Sequence, residues 1–314
     1  MGNRMSKISM SDLYMGKKAL LVGNGVNLLS EKLTWKNLLY KLRKEFDVNV
    51  RISNDKAYPL IFEELLFCIR GESIEGDLKA LQVQISEIMQ DYNPNDYHRE
   101  IFDLKNTNIL TTNYDYAFER VEEKDYQGPA TPGKGGEYRY SRKRRNTING
   151  KNIWHIHGEL NSGYKGLGTT QYPEQSILIG NEHYADYLSL LHENLKPFGG
   201  NKGLARALND NPDIWSRFFF THDIDIVGFN MDYAEIHLWW LINFRARLKR
   251  TGSSIRNIIR FNYPSFEKKE IENKLSVLLA LEIELNEVPV NRTSDITNDY
   301  HRFYDKFLES YDKF

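Results

Sequence analysis

Apolar and polar positions fall into blocks along the chain, and each block carries one of two periods. Residues 17–22, Lys-Lys-Ala-Leu-Leu-Val, form a short apolar run closed by Gly23-Asn24-Gly25. That pattern predicts a buried strand ending in a tight turn. Thr34 stands where a helix cap belongs, and Trp35, Leu38, Leu39, Leu42 and Phe46 then share one helical face. The polar stretch 47–59, ending in Pro59, predicts a loop. Phe62, Leu65, Leu66 and Ile69 mark a second amphipathic helix, and residues 76–91 a third. Residues 108–111 predict a second strand, followed by a helix over 116–124. Further strands are predicted over 152–157, 176–179, 223–227 and 257–261. Residues 182–221 read as mostly helical, with a break at Pro197-Phe198-Gly199-Gly200, and 232–249 as a helix. A helix near 265–279, a strand near 282–288 and a helix near 296–312 complete the chain. Strands separated by helices predict an α/β fold, a doubly wound and mostly parallel sheet with helical insertions.

Residues 125–151 break the pattern. They hold five glycines, two prolines and the basic run Arg142-Lys143-Arg144-Arg145, which predicts a long, mobile, solvated loop or an edge hairpin. A loop that contacts phosphate or a partner is the alternative. The rest of the composition narrows the chemistry. Lys plus Arg is 42 against 43 Asp plus Glu, a formal charge of −1, which disfavours a nucleic-acid binder. The 40% hydrophobic content is enough for a sizeable core. No apolar run approaches the roughly 20 residues that span a bilayer, and the first apolar run is too short for a signal peptide. A cytoplasmic protein is therefore expected. Cys68 is the single cysteine, so neither an intrachain disulfide nor a multi-cysteine zinc site can form.

In an open parallel sheet, ligands bind beyond the carboxyl ends of the strands. The first strand is followed by Gly23-Asn24-Gly25-Val26-Asn27, where two glycines allow close approach to a diphosphate. The third glycine of the dinucleotide fingerprint is replaced by Leu28, and an ordinary strand-to-helix turn reads the same way. The second strand ends in Thr111-Thr112-Asn113-Tyr114-Asp115, a polar cluster that a helix cap would also explain. The third ends in His155-Ile156-His157-Gly158, with both histidines on one face of the predicted strand. His155 reads as structural. His157, next to the glycine, is better placed for general-base work, and a metal pair is disfavoured for want of a nearby carboxylate ligand. The fifth ends in Gly228-Phe229-Asn230-Met231-Asp232, with Glu235 one turn on, which could again cap a helix.

Taken in order, these strand ends resemble the sirtuin-like NAD-consuming domain, in the branch found in bacterial antiphage defence proteins. The abortive-infection AbiH family looks like a relative within the same superfold. The resemblance covers residues 17 to about 262, and its most specific pieces are TTNYD at 111–115 and HIHG at 155–158. It implies a Rossmann-like domain over 17–264, with helical insertions near 53–100 and 182–221. An N-terminal arm over 1–16 precedes it, and a helical extension over 265–314 packs on it. It implies that Gly23, Asn24, Gly25 and Asn27 bind phosphate. Asn113 corresponds to the essential asparagine, Asp115 to the acid of the same motif and His157 to the catalytic histidine. Thr112 joins the cofactor-binding set. Gly228, Phe229 and Asn230 meet the adenosine half, and Asn262 the adenine ribose.

Deacylating sirtuins carry four zinc cysteines between the His-Gly motif and the Gly-Thr-Ser loop. The corresponding interval here contains none. The resemblance therefore implies NAD glycohydrolysis, releasing nicotinamide and ADP-ribose, in a gated effector of abortive infection. A non-catalytic NAD or ADP-ribose sensor is the alternative, and deacylation is disfavoured. NAD is expected as substrate, with no metal. A nuclease lacks support, since no acidic metal cluster is evident. A hydrolase of this kind endangers its own cell, which implies gating by a homo-oligomer or by a neighbouring ATPase or sensor subunit. The aromatic stripe Tyr300, Phe303, Tyr304, Phe307, Leu308 and Tyr311 offers one interface, and the insertion at 182–221 another, although the stripe could equally cover the chain's own core.

Overall fold

The computed structural model describes residues 9–14, 16–31, 33–105, 108–128, 140–160, 177–195 and 201–311. In chain order the elements are α1 (Met10–Leu13), β1 (Lys18–Val22), α2 (Trp35–Glu45), α3 (Tyr58–Cys68), α4 (Ile74–Met89), α5 (Asp96–Asp103), β2 (Asn108–Thr111), β3 (Arg145–Ile148), β4 (Lys151–His155), α6 (Asn181–Leu195), α7 (Asn201–Asp210), α8 (Phe218–Thr221), β5 (Asp223–Val227), α9 (Ile236–Arg250), β6 (Ile259–Pro264), α10 (Glu272–Ala280), β7 (Glu284–Val288) and α11 (Ile296–Tyr311). The strands form one sheet in the order β3-β4-β2-β1-β5-β6-β7. Every pairing is parallel except that of the edge strand β3 with β4. The chain moves from β1 to β2 on one side and later returns to place β5 on the other. The order therefore reverses beside β1, which opens a crevice at the strand ends there.

Alternation within each strand divides the core. Leu21, Leu110, Trp154 and Ile226 face a layer built from α6 to α10. Leu20, Val22, Ile109, Ile153 and Val227 face α5 and α11. A third cluster belongs to α2, α3 and α4, whose Leu39, Leu42, Ile61, Phe62, Leu65 and Ile85 pack on Tyr114 and Ile177. Thr34 accepts from the Asn37 amide, as its capping position predicts. The aromatic stripe of α11 is consumed inside the chain: Phe303, Tyr304, Phe307 and Tyr311 are buried against the sheet. It supplies no exposed face for assembly.

Three local expectations are corrected. Residues 177–179 are not a strand, although all three are buried, and Ser176 lies outside the described residues. Their backbone groups bond to single partners rather than a ladder: Leu178 N donates to His157 O, and Ile177 O and Leu178 O accept from the Gln82 amide and the Tyr114 hydroxyl. The helix expected over 116–124 shrinks to one 3-10 turn, Glu119–Val121. Arg120 there donates sideways to Tyr92 O and Tyr126 O. Pro59 opens α3 instead of closing a loop, its missing N–H being harmless in a first turn. In the described part of 125–151 the edge hairpin offered beside the loop is present. It contains β3, joined to β4 by Asn149-Gly150 with φ of 45° and 78°, the primed turn that suits a two-residue hairpin. The expected Pro197–Gly200 break falls outside the described residues.

Candidate functional site

A cavity of about 790 Å³ opens above the carboxyl ends of β1, β2, β4, β5 and β6. Among the residues singled out in the sequence, Asn24, Gly25, Thr112, Asn113, Asp115, His157, Gly228, Phe229, Asn230 and Asn262 line it. Gly23 and Asn27 stand behind that lining. Trp35, Tyr58 and Glu235 wall one end, and Tyr263, Lys274, Tyr300 and Phe303 the other.

The glycines of the first loop serve the packing of two loops. Gly25 N donates to Gly228 O at 2.8 Å, and Gly23 N to Val227 O at 3.1 Å. A Cβ on Gly25 would sit 2.7 Å from Gly228 Cα, and one on Gly23 2.6 Å from Phe229 Cα. Only glycine allows that backbone-to-backbone approach. The β1 and β5 loops thus form one fused floor.

Beside the floor runs a string of side chains. Asp115 Oδ1 accepts from Ala117 N at 3.0 Å, and Asp115 Oδ2 from Asn27 Nδ2 at 2.7 Å. Asn27 Oδ1 faces His98 Nε2 at 3.0 Å, while Asn95 N donates to His98 Nδ1 at 3.2 Å, so Nε2 carries the ring proton. Asn24 Nδ2 in turn donates to Leu33 O. Burial raises the Asp115 carboxyl against the lowering pull of these bonds. Asp115, Asn27 and His98 therefore set the shape of the first loop through their side chains.

Asn113 follows β2. Its amide nitrogen reaches Gly23 O at a long 3.4 Å, and its backbone oxygen accepts from His155 Nδ1 at 3.0 Å. His155 Nε2 pairs with Glu119 at 2.8 Å. With both ring nitrogens donating, His155 is an imidazolium. Burial pushes it down, but the Glu119 carboxylate outweighs burial and holds it at about 9. The surrounding cluster contains Asn146, which donates to Glu119 and Glu159 at 2.9 Å each, and Arg144, which lies 3.4 Å from Glu159. Part of the basic run is thus a buried counter-charge: Arg144 is only 4% exposed. Arg145 sits over Trp154 and pairs with Asp213.

His157 lies past the end of β4, so it does not share a strand face with His155. Its Nε2 is 3.0 Å from His237 Nε2 and 3.3 Å from Glu235 Oε2. Burial pushes His157 down to about 3, and burial followed by the Asp232 charge pushes Glu235 up to about 8. At neutral pH both His157 and His237 are neutral, His237 being held well below its ordinary value by burial and then by His157. Sequence reading passed over His237 entirely and noted Glu235 only as a cap. The one linear signal is Glu235-Ile236-His237 directly after the β5 turn.

Asn262 and Asn230 are tied down as well. Asn262 lies within β6, not after it. Its amide donates to Asp225 and to Ile226 O, and its oxygen accepts from Asn286. Lys274 donates to both the backbone and side-chain oxygens of Asn230.

Residues 107–258 match the SIR2-like domain family, which implies an NAD-related activity. The match starts at β2 and ends before β6. It includes Asn113, Asp115, His157, Gly228 and Glu235 but leaves out the first loop and Asn262. A search of curated proteins finds no match. No helix among the described residues is long and apolar enough to cross a membrane.

Proposed function

We propose that this protein is an NAD glycohydrolase that releases nicotinamide and ADP-ribose. One observation carries the proposal: Asn113 and His157, from neighbouring strand ends, line the same cavity as the fused glycine floor. Its volume lies in the upper part of the roughly 300–1,000 Å³ range of ligand pockets, which suits an extended dinucleotide. The match to a SIR2-like domain supports NAD as the molecule.

Breaking the nicotinamide–ribose bond passes through an oxocarbenium-like state, as in other glycosyl transfers. Nicotinamide leaves from a cationic ring, so no acid is required. The protein must orient the ribose, exclude stray water and meet developing positive charge. Asn113 is placed to hold a ribose hydroxyl or the attacking water. His157, neutral at physiological pH, is the base for a ribose hydroxyl or that water. Asp115 acts indirectly by holding Asn27. Gly25, Gly228 and Asn230 contact the diphosphate and adenosine portions.

The resemblance in TTNYD and HIHG supports a role as a gated effector of antiphage defence. A homo-oligomer, or a neighbouring ATPase or sensor subunit, would supply the gate, with the helical insertion at 182–221 as the remaining contact. A second reading, a module that binds NAD or ADP-ribose without turnover, is favoured by the low basicity of His157.

Incubation of the purified protein with NAD, with and without candidate partners, and chromatographic detection of nicotinamide tests both. Asn113→Ala and His157→Ala should each lower the rate by ~100-fold or more while the fold survives. Tight NAD binding without nicotinamide release in every condition would select the binding module.

A further inference from the structure

Three side-chain atoms gather behind the cavity wall at the start of α9. His157 Nε2 and His237 Nε2 are 3.0 Å apart, His157 Nε2 and Glu235 Oε2 3.3 Å, and His237 Nε2 and Glu235 Oε2 3.9 Å. Ligands around a tetrahedral zinc, with bonds of about 2.0–2.1 Å, stand about 3.3 Å from one another. The three separations straddle that edge.

Hydrogen bonding alone satisfies the cluster poorly. Two imidazoles facing nitrogen to nitrogen share one proton, and Glu235 Oε2 has no hydrogen-bond partner. A cation at the common point would meet all three lone pairs. The ring of Tyr184 lies 5.7 Å from His157 and 5.1 Å from His237, and that of Tyr187 5.4 Å from His237, so aromatic surface walls the point. His157 and Glu235 also line the cavity, which leaves a fourth coordination position facing it.

We propose that His157, Glu235 and His237 form a binding site for a divalent transition cation of the zinc type. Two imidazoles and one carboxylate are a donor set for zinc, cobalt or nickel, whereas magnesium and calcium prefer all-oxygen shells. His237 Nδ1 lacks the hydrogen-bond acceptor that metal-bound histidines commonly have. The expected affinity is therefore about 10–100-fold below that of a site whose histidines are all so supported. The expectation of no metal rested on the cysteine count and on carboxylates near 155–157, and Glu235 enters from a distant part of the chain.

A second consequence rests on the proposed glycohydrolase activity. An imidazole with a cation on one nitrogen and a proton on the other has no lone pair left. A metal-bound His157 cannot act as a base, so the cation silences the enzyme. Metal binding and NAD cleavage then exclude one another on a single side chain.

Equilibrium dialysis against zinc chloride with elemental analysis should give one zinc per chain. Glu235→Gln and His237→Ala should each weaken binding at least tenfold. Cobalt chloride added to the unaltered protein should give the intense visible absorption of a tetrahedral site, a readout that needs no variant to fold. Nicotinamide release should fall in step with zinc occupancy and return on chelation. Zinc far below one per chain at tenfold excess, or binding unchanged in the double variant, overturns the site. Zinc bound without slowing the reaction overturns the silencing. Absence of nicotinamide in every condition defeats the glycohydrolase activity and leaves the dialysis result to stand by itself.

Discussion

Asp115→Asn separates two roles that a carboxylate in this position can have. The substitution keeps the shape and removes one acceptor. Asp115 receives two donors, the Ala117 amide and the Asn27 side chain, and an asparagine oxygen can serve only one of them. Its new NH₂ group must face the other. A buried donor left without an acceptor costs about 1–3 kcal/mol. Part of this is offset, because the neutral amide no longer bears the desolvation that raises the carboxyl. The net expected loss in urea unfolding is about 1–2 kcal/mol. In steady-state nicotinamide release, the loosened first loop should raise KM about tenfold, since 1.4 kcal/mol is one decade, and kcat should hold within about threefold. A double-mutant cycle with Asn27→Ala should show coupling of about 1 kcal/mol or more. Unchanged stability combined with a ~100-fold fall in kcat at constant KM would refute the reasoning and turn the carboxylate toward the reacting cation.

Further outcomes are expected as well. His155→Phe leaves Glu119 buried without its cation and should cost about 3–5 kcal/mol in chemical unfolding; a loss under 1 kcal/mol would remove His155 as the support of Asn113. Gly25→Ala should abolish NAD binding in calorimetry and lower the melting temperature, because the new Cβ meets the Gly228 backbone; full binding would show that the two loops can part. Stability should fall as pH drops below about 6.5, because burial, followed by the Arg99 charge, holds His98 down at about 3 and burial holds His222 at about 4. Their stabilisation is complete above the unfolded value of 6.5 and is lost toward the folded value, by about 1.4 kcal/mol per pH unit for each proton, and His98→Gln should flatten that slope in urea titrations at stepped pH. Phe307→Ala should cost about 3–5 kcal/mol, and light scattering of the unaltered protein should exceed the 36.9 kDa of one chain, whereas a monomer would remove oligomeric gating.

Much of the sheet was legible because its strands are short apolar runs bounded by glycine and polar clusters. β1, β2, β4 and β5 appear within two residues of their expected limits, Ile156 and His157 belonging to a turn instead of β4. Ile177–Ile179 misled because burial on every side, not pairing, makes a segment uniformly apolar. β3 was legible only as an edge hairpin without limits, because its outward residues are Arg145 and Thr147, and the Asn149-Gly150 turn that marks it sits inside a stretch dominated by glycine and charge. The strand-end residues were legible as a group, since topology alone brings them to one edge. Their division of labour was not. Nothing in linear spacing reveals that Asn27 turns to Asp115, or that α9 lies so that His237 meets His157, for both depend on strand order and helix placement.

The fused floor has a consequence for the timing of synthesis. Its two halves lie roughly 200 residues apart, joined by the bond from Gly25 N to Gly228 O. Translation at about 5–20 residues per second separates them by on the order of 10–40 s. During that interval the nascent chain carries Asn113 and His157 with no completed platform beneath a substrate. On the proposed glycohydrolase reading, a chain that stops before Gly228 lacks this floor and should release no nicotinamide.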